Sequence, residues 1–497
     1  MTQQSAISQR SAFASEAAEV PSVIEIASRY RDGVSSPEEM LDFFLARIAA
    51  ADAELNSFVC LDGAGSRRQA RQSAERWRQG RPLSPIDGVP VTVKDAFEVA
   101  GVPFRSGSLV TDATPRTRSA PAVQRLLGAG AVIVGLTTTS EFGGAPVTIS
   151  PLTGITRNAW NPERTAGGSS GGAAVSVAAG FAAAALASDT GGSIRIPAAF
   201  NGMVGLKPTG GRIPTDPASV LRTMGCPGSI ARNVADCAHL FAVLGNGRYG
   251  AADPTCPDYQ APAASRDLRH MRILASRTLG YAQFLDDEVR DAFDRTIALL
   301  KQNGVQVQEI TPALPDPIDL FLAYTRANYA SILADLDDAD VGRLGANVRA
   351  ARAAGQELSA VDLLAAARGR LRLAETLASE IGAFDILLTP MTAVPPFAAD
   401  AFAPDHPAVK SNPRAWSPFG SMFNLTENPA LTLPCGVSND GKNGQLPIGL
   451  QLVAPKWQEG LLLNAAAQIE GLLNFDASPP LKRVTVKQTG QGGNDVG

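Results

Sequence analysis

Three short segments hold residue types that could do covalent chemistry. Lys94 closes the alternating run Gly88-Val-Pro-Val-Thr-Val-Lys94, which predicts a strand with the lysine at its end. Gly167-Gly168-Ser169-Ser170-Gly171-Gly172 sets two serines among four glycines, a composition that permits close backbone approach and unusual dihedrals. Asp189-Thr190-Gly191-Gly192-Ser193-Ile194-Arg195-Ile196-Pro197 follows an apolar run and can expose a serine on a turn. Successive backbone N–H groups of such a turn converge on one point, as a nucleophile with an oxyanion hole requires. Each segment also has an ordinary reading, because lysines at strand ends are usually solvated and glycine-rich loops are often only tight turns. The Lys-Ser/Thr ending of a phosphate-binding loop is missing, as is any Gly-x-Gly-x-x-Gly. Nor is Ser193 in a Gly-x-Ser-x-Gly elbow, since Arg195 stands two residues after it.

A serine nucleophile needs a proton acceptor, and the chain has only three histidines. His239 falls in a helical stretch, His270 beside the charged Arg-Asp-Leu-Arg turn, and His406 in a Pro-rich loop. None has a catalytic setting, which disfavours a Ser-His-Asp triad. A Ser–Lys arrangement is the alternative, with burial favouring the neutral lysine that can act as base.

Composition narrows the partners. The 44 basic and 48 acidic residues leave a net charge of −4 with no long basic run, so no nucleic acid and no anionic membrane surface is expected. Five scattered cysteines without a C-x-x-C pair argue against a disulfide framework or a zinc site, and no metal is expected. Residues 1–20 lack the apolar core of a secretory signal, and the longest apolar run, 173–187, is shorter than the ~20 residues of a membrane span. A cytoplasmic protein is the expectation, and the Asn424-Leu425-Thr426 triplet is then a chance match for a glycosylation site.

The elements that must position these groups follow from periodicity. Ser36-Pro37-Glu38-Glu39 has the form of a capping box and opens a helix with Met40, Leu41, Phe44 and Ile48 on one face. Helices are predicted at 65–79, 120–129 and 286–303, strands at 131–135, 305–310 and 384–388, and several helices within 313–383. Two strands at 428–436 and 446–453 and a helix from Glu459 complete the pattern. This rhythm predicts an α/β fold: a single large α/β/α domain over 21–483, its mixed central sheet covered by helices on both faces. A helical insertion is expected at about 245–383, and disorder at 1–20 and 484–497.

Lys94, the Gly-Gly-Ser-Ser-Gly-Gly run and Asp-Thr-Gly-Gly-Ser-Ile-Arg-Ile-Pro-Ala together resemble the amidase signature family of serine hydrolases. The 75 residues from Lys94 to Ser169 and the 24 from Ser169 to Ser193 suit that family's Ser–cis-Ser–Lys triad. Gly205-Leu-Lys-Pro-Thr209, Phe423-Asn-Leu-Thr-Glu-Asn-Pro429 and Pro447-Ile-Gly-Leu-Gln451 are similar to it too, so the likeness runs over residues 22–475. The resemblance implies that Ser193 forms an acyl-enzyme, that Ser169 follows a cis Gly168–Ser169 bond and bridges to Lys94, and that Lys94 takes and returns the proton. It implies an oxyanion hole from the N–H groups of Thr190, Gly191, Gly192 and Ser193. Asp189 and Arg195 are then an ion pair that fixes the loop, with Ser170 bracing it. Phe142-Gly143-Gly144 falls where the family has part of its substrate pocket, and reads equally as a helix-end turn.

The implied reaction is hydrolysis of small to medium apolar or aryl amides by water, with no cofactor. Carbamates, esters and anilides are alternatives for the same triad. A glutaminase-type subunit of a tRNA-dependent amidotransferase is another class, and a non-catalytic scaffold a third. Gly-Gly-Ser-Ile-Arg differs from the Ala-Gly-Ser-Gly of allophanate hydrolase. A homodimer is one assembly that the resemblance allows.

Overall fold

The computed structural model describes residues 19–215, 224–245, 265–439 and 444–479. Residues 1–18 and the tail 484–497, both expected to be disordered, lie outside the described residues, as does 246–264 of the expected insertion.

The chain enters through two capped helices. Ser22 caps Val23–Arg31 and Ser36 caps Pro37–Leu55, each with a reciprocal bond between the cap and a glutamate three residues on. Ser36 Oγ accepts from the Glu39 N–H at 3.2 Å while Glu39 Oε2 accepts from the Ser36 N–H at 2.8 Å.

Among the described residues one sheet has eleven strands. In chain order they are β1 (Phe58–Leu61), β2 (Pro90–Lys94) and β3 (Val132–Thr137), then, after a small β4 (Ile149–Ser150) and β5 (Gly154–Ile155) hairpin, β6 (Ala184–Asp189), β7 (Val204–Lys207) and β8 (Cys226–Ala231). There follow β9 (Ile273–Ala275), β10 (Val307–Glu309), β11 (Ile386–Pro390), β12 (Ala430–Asn439) and β13 (Gln445–Val453). Their spatial order is β1-β3-β2-β6-β8-β7-β12-β13-β11-β9-β10. The β2 strand runs parallel to β3 and β6, whereas β12 is antiparallel to both β7 and β13, so the sheet is mixed. The strand expected at 305–310 is only three residues long, because β10 is an edge whose single partner, β9, is equally short.

Strand side chains alternate between the two faces, and both faces are buried. In β3, Ile133 joins one apolar cluster while Val132 and Val134 join another; in β6, Ala184 and Leu186 split from Ala185 and Ala187 in the same way. Helices Pro121–Gly128, Val234–Gly245, Asp287–Gln302 and Glu459–Leu473 supply apolar side chains to the first cluster. Gly171–Ala178, buried along its whole length, covers the second. Its small residues let it lie close: a Cβ on Gly172 would come within 2.5 Å of the Ser57 carbonyl oxygen. Helices Ile318–Ile332, Asp338–Arg343, Ala346–Gln356 and Ala360–Ile381 lie between β10 and β11. Tyr329, Leu333, Leu344 and Val348 from this helical stretch form a small cluster with Phe142 packed against it.

Candidate active site

Lys94 is the last residue of β2 and only 1% exposed. Val91 and Val93 belong to the first apolar cluster, so the intervening Thr92, and Lys94 two residues on, face the other layer. Thr92 Oγ1 lies 2.9 Å from Ser176 Oγ on the helix Gly171–Ala178. Lys94 thus meets the loop that leads into this helix. Its Nζ donates to Ser169 Oγ at 2.7 Å and to Ser188 Oγ at 2.9 Å. Burial pulls its pKa down to about 7, against the opposing pull of Asp189 and Asp95.

The Gly168–Ser169 peptide bond is cis. Gly168 has no room for a side chain, since a Cβ would come within 2.5 Å of the Val147 carbonyl carbon. Thr148 ties the turn together: its Oγ1 donates to the Gly167 carbonyl at 2.8 Å and accepts from the Gly171 N–H at 2.9 Å. Ser170 links this loop to the next one. Its Oγ donates to the Ser188 carbonyl at 3.1 Å and its N–H to the Ser193 carbonyl at 3.2 Å.

The loop after β6 winds around the Asp189 carboxylate. Asp189 Oδ1 accepts from the Gly192 N–H at 2.7 Å, and Oδ2 from the Ile194 N–H at 3.1 Å. Arg195 closes the ring with Nε and Nη2, each 2.9 Å from the carboxylate, both side chains being fully buried. Burial alone would raise the Asp189 pKa, but the Arg195 charge and hydrogen bonds outweigh it and hold the carboxyl well below its usual range. Ser193, half-buried, lies between Gly192 and Ile194, whose N–H groups both donate to Asp189. The N–H groups of Thr190, Gly191 and Ser193 have no acceptor among the described residues, whereas that of Gly192 is spent on Asp189.

Two distant segments anchor Arg195. Its Nη1 donates to Gln451 Oε1 at 2.6 Å, and its Nη2 to Asn424 Oδ1 at 2.6 Å and to the Gly420 carbonyl at 3.1 Å. Asn424 Nδ2 returns to the Asp189 carbonyl at 2.8 Å. The asparagine of the glycosylation-like triplet is therefore a buried bracket of the loop.

Phe142 and Gly143 lie in a short 3-10 turn with φ of 47° and 70°. A Cβ on Gly143 would be 3.5 Å from Ser169 Oγ, so this turn abuts the serine–lysine pair. The Phe142 carbonyl accepts from the Tyr329 hydroxyl at 3.3 Å, and a Cβ on Gly144 would come within 3.1 Å of that hydroxyl. Glu141 completes the docking, its carboxylate accepting from Ser108 Oγ at 2.6 Å and the Gly345 N–H at 2.8 Å. From the same helical stretch, the Phe321 ring leaves no space for a side chain at Gly191. A cleft beside Gly191 is lined by Tyr281, Phe321 and Pro418, but also by Asp316, Asn412 and Arg414. It is more polar than the low charge density of the chain suggests.

The histidines are elsewhere. His239 is on the helix Val234–Gly245, His270 ends an exposed turn, and His406 stacks on Phe284 at 4.2 Å while capping Pro407–Ser411. Among the described residues no group of His, Cys, Asp and Glu could hold a metal ion, and no helix is long and apolar enough to cross a membrane.

Residues 39–463 match the profile of the family described as Amidase. The chain belongs to the amidase family. Acylamidase of Rhodococcus erythropolis is 31% identical to this amidase over 94% of the chain and 98% of that protein. A glutamyl-tRNA(Gln) amidotransferase chain of Roseiflexus castenholzii, one subunit of that enzyme, is 32% identical over 90% and 95% respectively. A crystal structure of an amidase superposes with a TM-score of 0.81 at 30% identity, covering 91% of this chain and 99% of that one. The mixed sheet with helices on both faces is the fold of this family, and the family's reaction, hydrolysis of an amide carbon–nitrogen bond, is that of this chain. Sequence reasoning missed Ser188, the second acceptor of Lys94. A serine one residue before Asp189, on the strand beside β2, was the available signal.

Proposed function

We propose that this amidase acts through a Ser193–Ser169–Lys94 triad and an acyl-enzyme. Ser193 Oγ attacks the amide carbon while its proton passes through Ser169 Oγ to neutral Lys94. The carbonyl oxygen, now an anion, is held by the N–H groups of Thr190, Gly191 and Ser193. Collapse of the tetrahedral species breaks the carbon–nitrogen bond, and the proton on Lys94 returns through Ser169 to the leaving amine. Water then attacks the ester by the same relay, releasing the acid and restoring the Ser193 hydroxyl. Gly192 supports this reading indirectly, because its bond to Asp189 shapes the loop that aims the other three donors. Phe142, Gly143 and Gly144 form one wall of the substrate site.

The observation that carries the proposal is the 2.7 Å bond from a lysine sealed in the protein to a serine that needs a base. A fluorophosphonate probe is expected to label Ser193 in the full chain, and Ser193→Ala to lose both label and turnover. Labelling at another serine, or near-normal turnover by Ser193→Ala, contradicts the assignment. Anilides, carbamates and esters present the same acyl carbon, so turnover of such substrates fits the same triad.

The similarity to one chain of an amidotransferase favours a second reading, a glutaminase that passes ammonia to a partner. Release of ammonia from glutamine, and from no simple amide, is its signature. Four free thiols among the described cysteines (Cys60, Cys226, Cys237 and Cys435) support a reducing, cytoplasmic setting.

A further inference from the structure

Arg414 lines the cleft beside Gly191, within the region of the loop whose N–H groups have no acceptor among the described residues. Its guanidinium makes no hydrogen bond and no ion pair with any described residue, and the residue as a whole is partly buried. Burial, the first cause, lowers its pKa; the nearby Arg326 on the helix Ile318–Ile332 pushes in the same direction, against the Tyr329 hydroxyl. The carboxylates of this region bond to other groups, none of them to Arg414. Glu141 accepts from Ser108 and Gly345, and Asp316, on the same cleft, accepts from the Ile318 N–H at 3.0 Å. A guanidinium open to the cleft, beside a second arginine and without an anion among the described residues, is free to take one from a ligand. Its five donors in a planar fork match a carboxylate. Asn412 adds a polar side chain to the cleft lining, and the Phe321 ring an apolar one.

We propose that this cleft selects amides that also carry a carboxylate, with Arg414 gripping the carboxylate while the scissile carbonyl lies at Gly191. This inference rests on the serine hydrolase reading above and supplies its substrate class. The anion that pairs with Arg414 is then on the substrate, since no described carboxylate bonds to it.

The test is protection of Ser193 from a fluorophosphonate by two amides of similar size, succinamate and butyramide. In the full chain succinamate is expected to protect at a concentration about 10- to 100-fold lower, the range that one charge-assisted, bidentate contact supplies. Arg414→Met should abolish that preference, and Arg414→Lys should restore part of it. Equal protection by the two amides in the unaltered chain overturns the inference, and a preference that survives in Arg414→Met does the same. A parallel weakening of both amides in Arg414→Met and Arg414→Lys marks a structural role and also overturns it. A chain that the probe does not label at Ser193 sinks the serine hydrolase reading itself, so the two failures are distinguishable.

Discussion

A lysine whose ammonium is sealed from water can act as a base at neutral pH, and in the proposed mechanism this sets the acid limb of the reaction. Lys94 binds its proton with a pKa of about 7, because burial penalises the charged form more than Asp189 and Asp95 favour it. The neutral form is the acceptor in the proposed relay. As pH falls through about 7 that form is lost, and kcat/KM is expected to drop about tenfold per pH unit below it. A rate profile level down to about pH 5 contradicts a lysine base. Lys94, Ser169 and Ser193 stood out at a predicted strand end and in glycine-rich loops, but those patterns left each an ordinary reading, and their roles came only from the resemblance to a family. Ser188 did not stand out, because a lone serine at the end of an alanine-rich strand looks like any other. Phe142 was missed as a backbone outlier for a similar reason: nothing in its side chain predicts φ of 47°.

At the scale of elements, the loop after β6 is held by an ion pair that is costly to break from one side. Arg195 gives its protons to Asp189, Gln451, Asn424 and the Gly420 carbonyl, none of which reaches water. Arg195→Met leaves a carboxylate buried without its counter-ion, and losses of this kind run to about 3–5 kcal/mol. Urea unfolding is expected to show a midpoint lowered to match, with turnover falling alongside. A variant as stable as the parent would mean that the pair is dispensable. Arg195→Lys is not expected to rescue, because an ammonium cannot span four acceptors in one plane. The capped helices and long strands of the fold were legible because local chemistry defines them; Ser36 and Glu39 announce a helix start three residues apart. The anchors Asn424 and Gln451 were legible only as motifs similar to a family. Their partner is more than two hundred residues away in the chain, and no periodicity encodes that distance.

For the molecule as a whole, the strand order divides the work between the two parts of the chain. Strands β1 to β3 and β6 to β8, with their loops, hold Lys94, Ser169 and Ser193, while β9 to β13 lie together on the other side. The seam is the pairing of β7 with β12, where Ala430 faces Lys207. All the groups of the proposed triad thus come from before the seam, and the bracket that holds their loop comes from after it. A chain ended at Asn439 keeps the proposed triad but loses β13, the partner of both β11 and β12, together with Gln451. Such a chain is expected to fail to react with a fluorophosphonate that labels the full protein; labelling at a comparable rate would show that the bracket is unnecessary. The pairing across this seam also has a meaning in time. Translation delivers the serines and the lysine before the residues that lock Arg195. A chain not yet extended to Gln451 therefore holds the proposed reagents without the full set of contacts that aim them.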